Sequence, residues 1–304
     1  MQEPVVSICC LVYNHEPFLR ECFEGFVMQK TTFPIEILVH DDASTDHSAD
    51  IIREYTVQYP DLFKPIYQTE NQYSKGVKVS ATFQFPRAKG KYIALCEGDD
   101  YWTDPYKLQK QVDFLESHPE YVMCSHRYKS FSQSEHRFNT PGKNVSPVYD
   151  LQYLIHGGWN FHPLTVMFRR KSLNIETFNK YAHTMDAILF YAILKTGPGY
   201  CLEDVMAVYR LHSGGVWSQV GQNRQRELEY NARIGLYEVE HSKEAATFLL
   251  NQFTKLASRI WFLSNLGITT RTFIIIQKHF GLMFTLRLYL RKFFRNLNFK
   301  WETV

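Results

Sequence analysis

Short apolar runs separated by helical patterns fill the first hundred residues of this 304-residue chain. The runs that predict buried strands are VSICCLV (6–12), IEILVH (35–40), KPIYQ (64–68) and KYIALC (91–96). An amphipathic run over about 46–59 predicts a helix between the second and third strands, because its apolar residues share one face. Those residues are Ala49, Ile51, Ile52 and Tyr55. Strands alternating with helices predict an α/β fold with a mostly parallel, doubly wound sheet flanked by helices.

The pattern changes in the last third of the chain. Residues 224–263 show helical periodicity, as in RELEYNARIGLYEVE and TFLLNQFTKLASRIWFL. We therefore expect one sheet-containing domain over residues 1–218 and a C-terminal helical extension over residues 219–304. A hydrophobic content of 45% is sufficient for a full core in a chain of this length.

Composition narrows the cellular setting. The six cysteines form no CxxC pair and have no metal-ligand spacing, which favours reduced thiols and a reducing compartment. The N-terminal apolar run is too short for a signal peptide, and no apolar run approaches the roughly 18 residues of a spanning helix. We expect a cytoplasmic protein.

Acidic residues follow two of the predicted strands. Asp41 and Asp42 follow the second strand, and Glu97, Asp99 and Asp100 follow the fourth. The carboxyl ends of parallel strands lie along one edge of a sheet, where ligands bind, so these acids should converge. Close carboxylates without partners are costly, and a cation is the natural partner. Taken alone, DDASTD is also a good helix start.

Polar residues also follow the first strand, namely Tyr13, Asn14 and Glu16. Asn14 is a candidate cap for the helix that follows, with Pro17 in the first turn. No GxGxxG follows this strand and no GxxxxGK[ST] occurs, which disfavours a dinucleotide dehydrogenase and a P-loop enzyme. Bound phosphates would then be neutralised by Mg²⁺ or Mn²⁺ held by carboxylates.

Four blocks in fixed order give the chain a family resemblance. They are VSICCLVYNHEPFLREC, ILVHDDASTD, AKGKYIALCEGDDYWTDPYKLQKQ and VMAVYRLHSGGVWS. Over roughly residues 4–218 the chain resembles the family 2 glycosyltransferases, inverting enzymes of the GT-A (Rossmann-like) fold. The resemblance implies a metal-dependent transfer of a sugar from a nucleotide-sugar, expected to be a UDP-sugar. The implied acceptor is a glycan or lipid-linked sugar of bacterial surface polysaccharide biosynthesis.

The resemblance also implies roles for the residues at the strand ends. Tyr13 would stack on the base, Asp42 with Asp41 would meet the base edge, and Asn14 and Glu16 would lie in the same donor site. Asp99 would approach the ribose and, with Asp100 and His212, form the metal-binding set, with Asp100 as the principal ligand. The first position of the family's DxD motif is Glu97 here, so its contact with the ligand stays open.

The implied catalytic base is Asp186, in HTMDAILFYAILKTG. An Asp before AILFYAIL is also what a helix cap looks like, and the two roles are compatible. His212 has two interpretations, a metal or diphosphate contact or a histidine packed on the sheet. Arg210 either faces the leaving phosphate or pairs with a nearby acid.

An acceptor sugar could stack on Trp102 and hydrogen-bond to Asp104. The alternative is that TDPYKLQKQ is simply a helix start, with Thr103 as cap and Pro105 in the first turn.

The C-terminal tail is basic, with seven Lys or Arg and one acid from Arg271 to Val304. Arg287, Arg291 and Arg295 lie four residues apart among Leu, Phe and Tyr, with Trp301 beyond them. This pattern predicts a helix on an anionic membrane surface, at the inner face of the cell membrane. A helix docked on the protein with a solvated basic edge is the alternative, and nucleic-acid binding is disfavoured.

Two other functions share parts of this pattern. A nucleotidyltransferase that makes the nucleotide-sugar would need a glycine-rich loop with a basic residue after the first strand, where this chain has YNHEPF. A non-catalytic nucleotide-sugar or glycan-binding protein would not need Asp42, Asp99, Asp100 and Asp186 together. The sequence does not reveal the sugar, the acceptor or the linkage.

Overall fold

The computed structural model describes residues 2–139, 147–159, 161–183, 185–215, 220–256 and 266–293. The chain forms two compact units. Unit 1 comprises residues 1–151, 159–180 and 186–219, and unit 2 comprises residues 152–158, 181–185 and 220–304.

Unit 1 contains one mixed β-sheet. Its strands are β1 (Val6–Val12), β2 (Ile35–Asp41), β3 (Ile66–Tyr67), β4 (Tyr92–Leu95), β5 (Tyr101–Trp102), β6 (Met123–Ser132), β7 (Arg137–Asn139), β8 (Val148–Tyr149), β9 (Met167–Arg169) and β10 (Gly199–Leu211). Their order across the sheet is β3-β2-β1-β4-β9-β6-β10-β5, with β7 beside β6 and β8 beside β10.

Helices flank this sheet and also make up most of unit 2. They are α1 (Glu16–Val27), α2 (Ser48–Gln58), α3 (Lys107–Ser117), α4 (Leu151–Ile155), α5 (Ile175–Lys180), α6 (Asp186–Leu194), α7 (Gln222–Glu240), α8 (Lys243–Leu256), α9 (Leu266–Phe280) and α10 (Leu282–Phe293). The α/β class and the predicted strands are confirmed, with ends shifted by one or two residues.

The parallel part of the sheet positions the candidate site. β1 pairs in parallel with β2 and β4, and β2 with β3, so these four strands end along one edge. Beyond β4 the pairing is mixed, because β9 runs antiparallel to both β4 and β6 while β10 runs parallel to β6. β1 is buried along nearly all of its length, as its continuous apolar sequence predicts for a central strand. The six cysteines are free and buried.

Two predicted helix starts differ in detail from the structure. Asn14 does not cap α1, because it adopts a left-handed conformation with φ of 56° and the chain turns into the helix at His15. α3 begins at Lys107 rather than after Thr103. Asp104 provides the local support instead, since its Oδ1 accepts the Tyr106 amide at 2.8 Å and its Oδ2 bonds Lys110 Nζ at 2.8 Å.

Unit 2 ends, within the described residues, in helix α10, which has an inverted amphipathic pattern. Thr285 is fully buried, and Tyr289 donates its hydroxyl to the carbonyl of Thr269 on α9 at 2.6 Å. The large apolar side chains point outward: Leu282, Met283, Phe284, Leu286 and Leu290 are exposed. None of the helices in the described ranges has the length and apolar character needed to cross a bilayer.

Candidate functional site

The loops after β1 and β2 are held together by hydrogen bonds from polar side chains. Asn14 Oδ1 accepts the Thr45 amide at 2.7 Å, and the Asn14 amide donates to Ser44 Oγ at 2.9 Å. This contact needs the left-handed backbone of Asn14, which Asn tolerates better than most residues. The predicted convergence of these two strand ends is therefore present.

Glu16 contributes to the same junction from the start of α1. Its amide donates to Asp46 Oδ2 at 3.0 Å, while its own Oε2 accepts the His47 amide at 3.1 Å. Glu16 also lines an open hollow of about 630 Å³ between α1 and α2, and the acids that follow β4 are not part of its lining. The charged side chains of that hollow pair with one another, as in Arg20–Glu54 at 2.7 Å.

Asp41 and Asp42 end the second strand and are buried. Both carboxylate oxygens of Asp42 accept backbone amides, from Gln72 at 2.8 Å and Tyr73 at 2.9 Å, so Asp42 shapes the loop that follows β3. Burial raises the pKa of Asp41 above its ordinary value. Tyr13, in contrast, keeps 40% of its surface exposed at the same edge, which leaves its ring open for stacking.

The loop after β4 carries the densest group of acids. Asp100 is 3% exposed and its Oδ1 accepts the Arg210 amide at 2.8 Å, which fastens the loop to β10. Burial, and then the charge of Asp99, raise the pKa of Asp100 well above its ordinary value. The carboxylate predicted as principal metal ligand is therefore enclosed, with one oxygen already bonded.

The Arg210 side chain packs against the loop after β4 and stabilises it. Its guanidinium donates to the carbonyl of Asp99 at 2.7 Å, pairs with Glu21, and lies 4.3 Å from the centre of the Tyr101 ring. Of its two predicted roles, pairing with a nearby acid is the one that the structure contains. Glu21 lies inside the helical pattern of α1, so no sequence signal marked it as the partner.

Asp99 has one carboxylate oxygen that is engaged and one that has no hydrogen-bond partner. Its Oδ2 lies 3.1 Å from His212 Nε2 and 3.7 Å from His15 Nε2. Its Oδ1 is buried and has no hydrogen-bond partner. Burial acts to raise the pKa of Asp99, but the hydrogen bond with His212 and the nearby His15 outweigh it and hold that pKa below its ordinary value. His15 was missed because it follows the first strand in the position of a loop residue.

Glu97 and Asp186 lie close together although they are 89 residues apart in sequence. We call the region of Glu97, Asp99, Asp100 and Asp186 the crevice. The side chains of Glu97 and Asp186 are both exposed, yet each is surrounded by protein, which is the environment of a concave surface. Desolvation raises the pKa of Asp186 to about 6. Desolvation, and then the charges of Asp99 and Asp186, raise the pKa of Glu97 well above its ordinary value. Asp186 is the first residue of α6, one position after the cap, where a carboxylate suits the positive end of the helix dipole.

Trp102 does not offer a stacking surface, and that prediction is wrong. The side chain is 2% exposed and its indole N–H donates to the carbonyl of Leu164 at 2.9 Å. The ammonium of Lys107 lies 3.9 Å from its ring centre, inside the core. Burial lowers the pKa of Lys107 to about 7. From the sequence alone, a Trp after a short strand is compatible with a core position and with a ligand contact. In the structure, Trp102 has the core position.

A divalent cation fits the donor set in one specific way. Within the ranges that the structure describes, no three His, Cys, Asp or Glu side chains form a ready-made metal cage. The unpartnered oxygen of Asp99 beside His212 nevertheless suits an ion that takes few protein ligands. Mg²⁺ is typically bound through one or two carboxylates together with substrate phosphates. The predicted roles of Asp99, Asp100 and His212 remain predictions.

Comparison with known proteins identifies close relatives. Residues 7–176 match the model of glycosyl transferase family 2. The chain is 36% identical over 233 residues to the uncharacterized protein Rv1520 of Mycobacterium tuberculosis, a match that covers 74% of this chain and 64% of the relative. The chain therefore spans less than two thirds of that relative's length.

A second relative and a solved structure extend the comparison. The chain is 29% identical over 235 residues to the Escherichia coli UDP-Glc:alpha-D-GlcNAc-diphosphoundecaprenol beta-1,3-glucosyltransferase WfaP, covering 76% of this chain and 87% of WfaP. TarS of S. aureus in complex with UDP-GlcNAc matches with a TM-score of 0.66 at 17% identity, over 95% of this chain and 89% of that one. At that identity the likeness concerns the fold alone, and it confirms the predicted fold class.

Proposed function

Because the chain belongs to glycosyl transferase family 2, we propose that it transfers a sugar from a nucleotide-sugar to an acceptor hydroxyl, with inversion at the anomeric carbon. The observation that carries this proposal is the proximity of Asp99 and Asp186 to Glu97, whose pKa their charges raise. A carboxylate oxygen without a partner and a carboxylate with a pKa of about 6 are suited to different tasks, cation binding and proton transfer.

The donor is proposed to be a UDP-sugar. WfaP is named for UDP-Glc and the TarS structure contains UDP-GlcNAc, both uridine nucleotides. The exposed ring of Tyr13 supports stacking on the base, and the buried Asp41 and Asp42 support a rigid edge beside it. The acceptor is proposed to be a glycan or lipid-linked sugar of surface polysaccharide biosynthesis, and the name of WfaP gives that relative an acceptor sugar on diphosphoundecaprenol.

Asp99, Asp100 and His212 are proposed to hold a divalent metal, Mn²⁺ or Mg²⁺. Within this set, the unpartnered Oδ1 supports Asp99 as the direct carboxylate ligand, and the bond to the Arg210 amide supports Asp100 as the residue that fixes the loop. When bound, the ion would neutralise the negative charge of the diphosphate as it leaves.

Asp186 is proposed to be the general base. Its carboxylate accepts the proton of the acceptor hydroxyl as that oxygen forms a bond to the anomeric carbon, and the bond from that carbon to the diphosphate oxygen breaks. A pKa of about 6 keeps Asp186 ionised at pH 7 while making it more basic than an ordinary carboxylate. The exposed position at the start of α6 leaves room for a substrate hydroxyl.

Binding of UDP with manganese tests the donor site. We expect UDP and Mn²⁺ together to raise Tm by several degrees, because a ligand at 100 times its Kd stabilises the native state by about 2.7 kcal/mol. Neither UDP with EDTA nor Mn²⁺ alone should reproduce the shift. ADP with Mn²⁺ is the matched control for the base. Equal shifts with ADP and UDP would contradict a uridine site, and no shift with any nucleoside diphosphate would refute the proposal.

Peripheral attachment to the inner face of the cell membrane is proposed through helix α10. The exposed Arg287 lies on the same helix as the outward-facing apolar side chains. The sequence from Arg271 onward is also strongly basic. Apolar side chains with neighbouring Arg or Lys suit the interface of an anionic bilayer. Arg291 belongs to α10 by its backbone, whereas Arg295 and Trp301 lie outside the described residues.

Vesicle sedimentation tests this attachment. The double variant Phe284→Glu with Leu290→Glu should bind vesicles that contain phosphatidylglycerol at least about tenfold more weakly than the wild type, because it replaces apolar insertion with two charges. Gln277→Glu together with Thr270→Glu adds the same charge at exposed positions of α9 and is the control. Equal weakening in both double variants would mean that charge alone drives binding, and unchanged binding in the α10 variant would refute the surface.

A further inference from the structure

Four aromatic side chains form a continuous wall in unit 1, and we call them the aromatic wall: Tyr128, Trp159, His162 and Tyr209. The His162 ring stacks on Tyr209 at a centroid distance of 4.8 Å, and the Tyr128 ring meets its edge at 4.9 Å. Trp159 continues the wall at 6.2 Å from His162. None of these residues has a role in the donor site.

The wall lies beside the catalytic acids. The pKa of Tyr209 is raised by burial and then by the charges of Asp100, Glu97, Asp99 and Asp186, so its hydroxyl is within electrostatic reach of every acid of the crevice. Trp159 packs on Phe190 at 5.6 Å. Because Phe190 follows Asp186 by four residues on α6, the two lie on the same side of the helix about one turn apart.

The outer end of the wall is open, whereas its backing is rigid. Trp159 is 40% exposed, and its packing against Phe161 and Phe190, both fully buried, fixes the indole from behind. Burial lowers the pKa of His162 to about 4, so the middle of the wall is a neutral ring at pH 7. An exposed indole on a buried aromatic support has the low conformational entropy that favours a binding surface.

A pyranose ring suits this surface chemically. One face of the ring presents C–H groups, which pack on an aromatic face, while the hydroxyl groups around its edge need polar partners. Here Tyr209 lies within reach of the acids and Trp159 packs on the helix that Asp186 begins, so a ring on the aromatic wall would have carboxylates nearby as polar partners. Two other exposed aromatic side chains of unit 1 have different neighbours: the Lys30 ammonium lies over the Tyr106 ring, and Phe138 packs on Phe131.

We propose that Trp159 is the stacking residue of the acceptor site and that the aromatic wall selects an acceptor with a terminal pyranose ring. This inference rests on the proposed function. It replaces the predicted role of Trp102, whose side chain is buried in the core. Trp159 is a specificity residue in this assignment, because it holds the acceptor while Asp186 takes the proton.

Saturation-transfer NMR with octyl N-acetyl-α-D-glucosaminide and octyl α-D-glucoside tests the assignment. In the presence of UDP and Mn²⁺, the ring protons of at least one glycoside should receive saturation from the wild type. Trp159→Ala should reduce this transfer at least about tenfold, and Trp159→Phe should retain most of it. Tyr106→Ala, which removes an aromatic side chain of comparable exposure elsewhere on unit 1, should leave it unchanged.

The Tm shift caused by UDP and Mn²⁺ is measured on the same four proteins to separate the two proposals. If the shift persists while Trp159→Ala leaves ring saturation intact, the acceptor assignment is wrong and the donor site stands. Saturation confined to the octyl chain, or absent from both glycosides in the wild type, also overturns it. If the UDP shift is absent from the wild type, the proposed function fails independently of Trp159.

Discussion

Replacing Asp186 by Asn will reduce the rate of sugar transfer by about 10²–10⁴-fold, the usual contribution of a general base. Asn keeps the shape of the side chain, so the fold should be preserved. Donor binding should also be preserved, since no donor contact is assigned to Asp186. Release of UDP in the presence of acceptor measures the rate, and the Tm shift caused by UDP and Mn²⁺ measures donor binding.

The pH profile distinguishes a base from a merely structural Asp186. The pKa of about 6 means that Asp186 is protonated, and inactive as a base, at pH below 6. We therefore expect kcat to fall about tenfold per pH unit below pH 6 and to level off above it. Because desolvation alone raises the pKa of Asp186, Glu97→Gln should leave the midpoint of the profile near pH 6.

A result of a different kind would contradict this role. If Asp186→Asn lost less than tenfold in kcat, or lost activity and donor binding equally, Asp186 would serve only the start of α6 and would not be the base. A flat pH profile in the wild type between pH 5 and 8 would lead to the same conclusion.

The strand ends were predictable from the sequence because the apolar runs are short, continuous and separated by helical periodicity. A parallel sheet then brings Asn14, Asp42 and Asp99 to one edge without further information. The side-chain partners were not predictable. Whether Asp100 faces a ligand or the Arg210 amide depends on the register between its loop and β10, which lies 110 residues away along the chain.

The two tryptophans illustrate the same limit. Trp102 comes directly after the acids that follow a strand, and this sequence position favours a ligand contact. Its side chain is nevertheless buried in the core. Trp159 lies between a Gly pair and Phe161 in a segment with no helical or strand period, and no pattern marked it. Its position beside Phe190 comes from packing between segments distant in sequence, which hydrophobic periodicity does not record.

Asp99→Asn and Asp100→Asn should separate the metal ligand from its support. Asp99→Asn removes the charge of the carboxylate with the unpartnered oxygen, and we expect the affinity for Mn²⁺ in the presence of UDP to fall by about 100-fold or more. Asp100→Asn keeps an oxygen that can accept the Arg210 amide, so the loop stays attached and the affinity should fall by only about tenfold. Calorimetric titration of Mn²⁺ into the protein with UDP measures both.

The thermal stability of the two variants supplies the control. The enclosed position of Asp100 raises its pKa and disfavours its charge, so a neutral amide there should cost little in Tm without ligands. If Asp100→Asn lowered the affinity for Mn²⁺ more than Asp99→Asn did at unchanged Tm, Asp100 would be the principal ligand, as the family resemblance predicts.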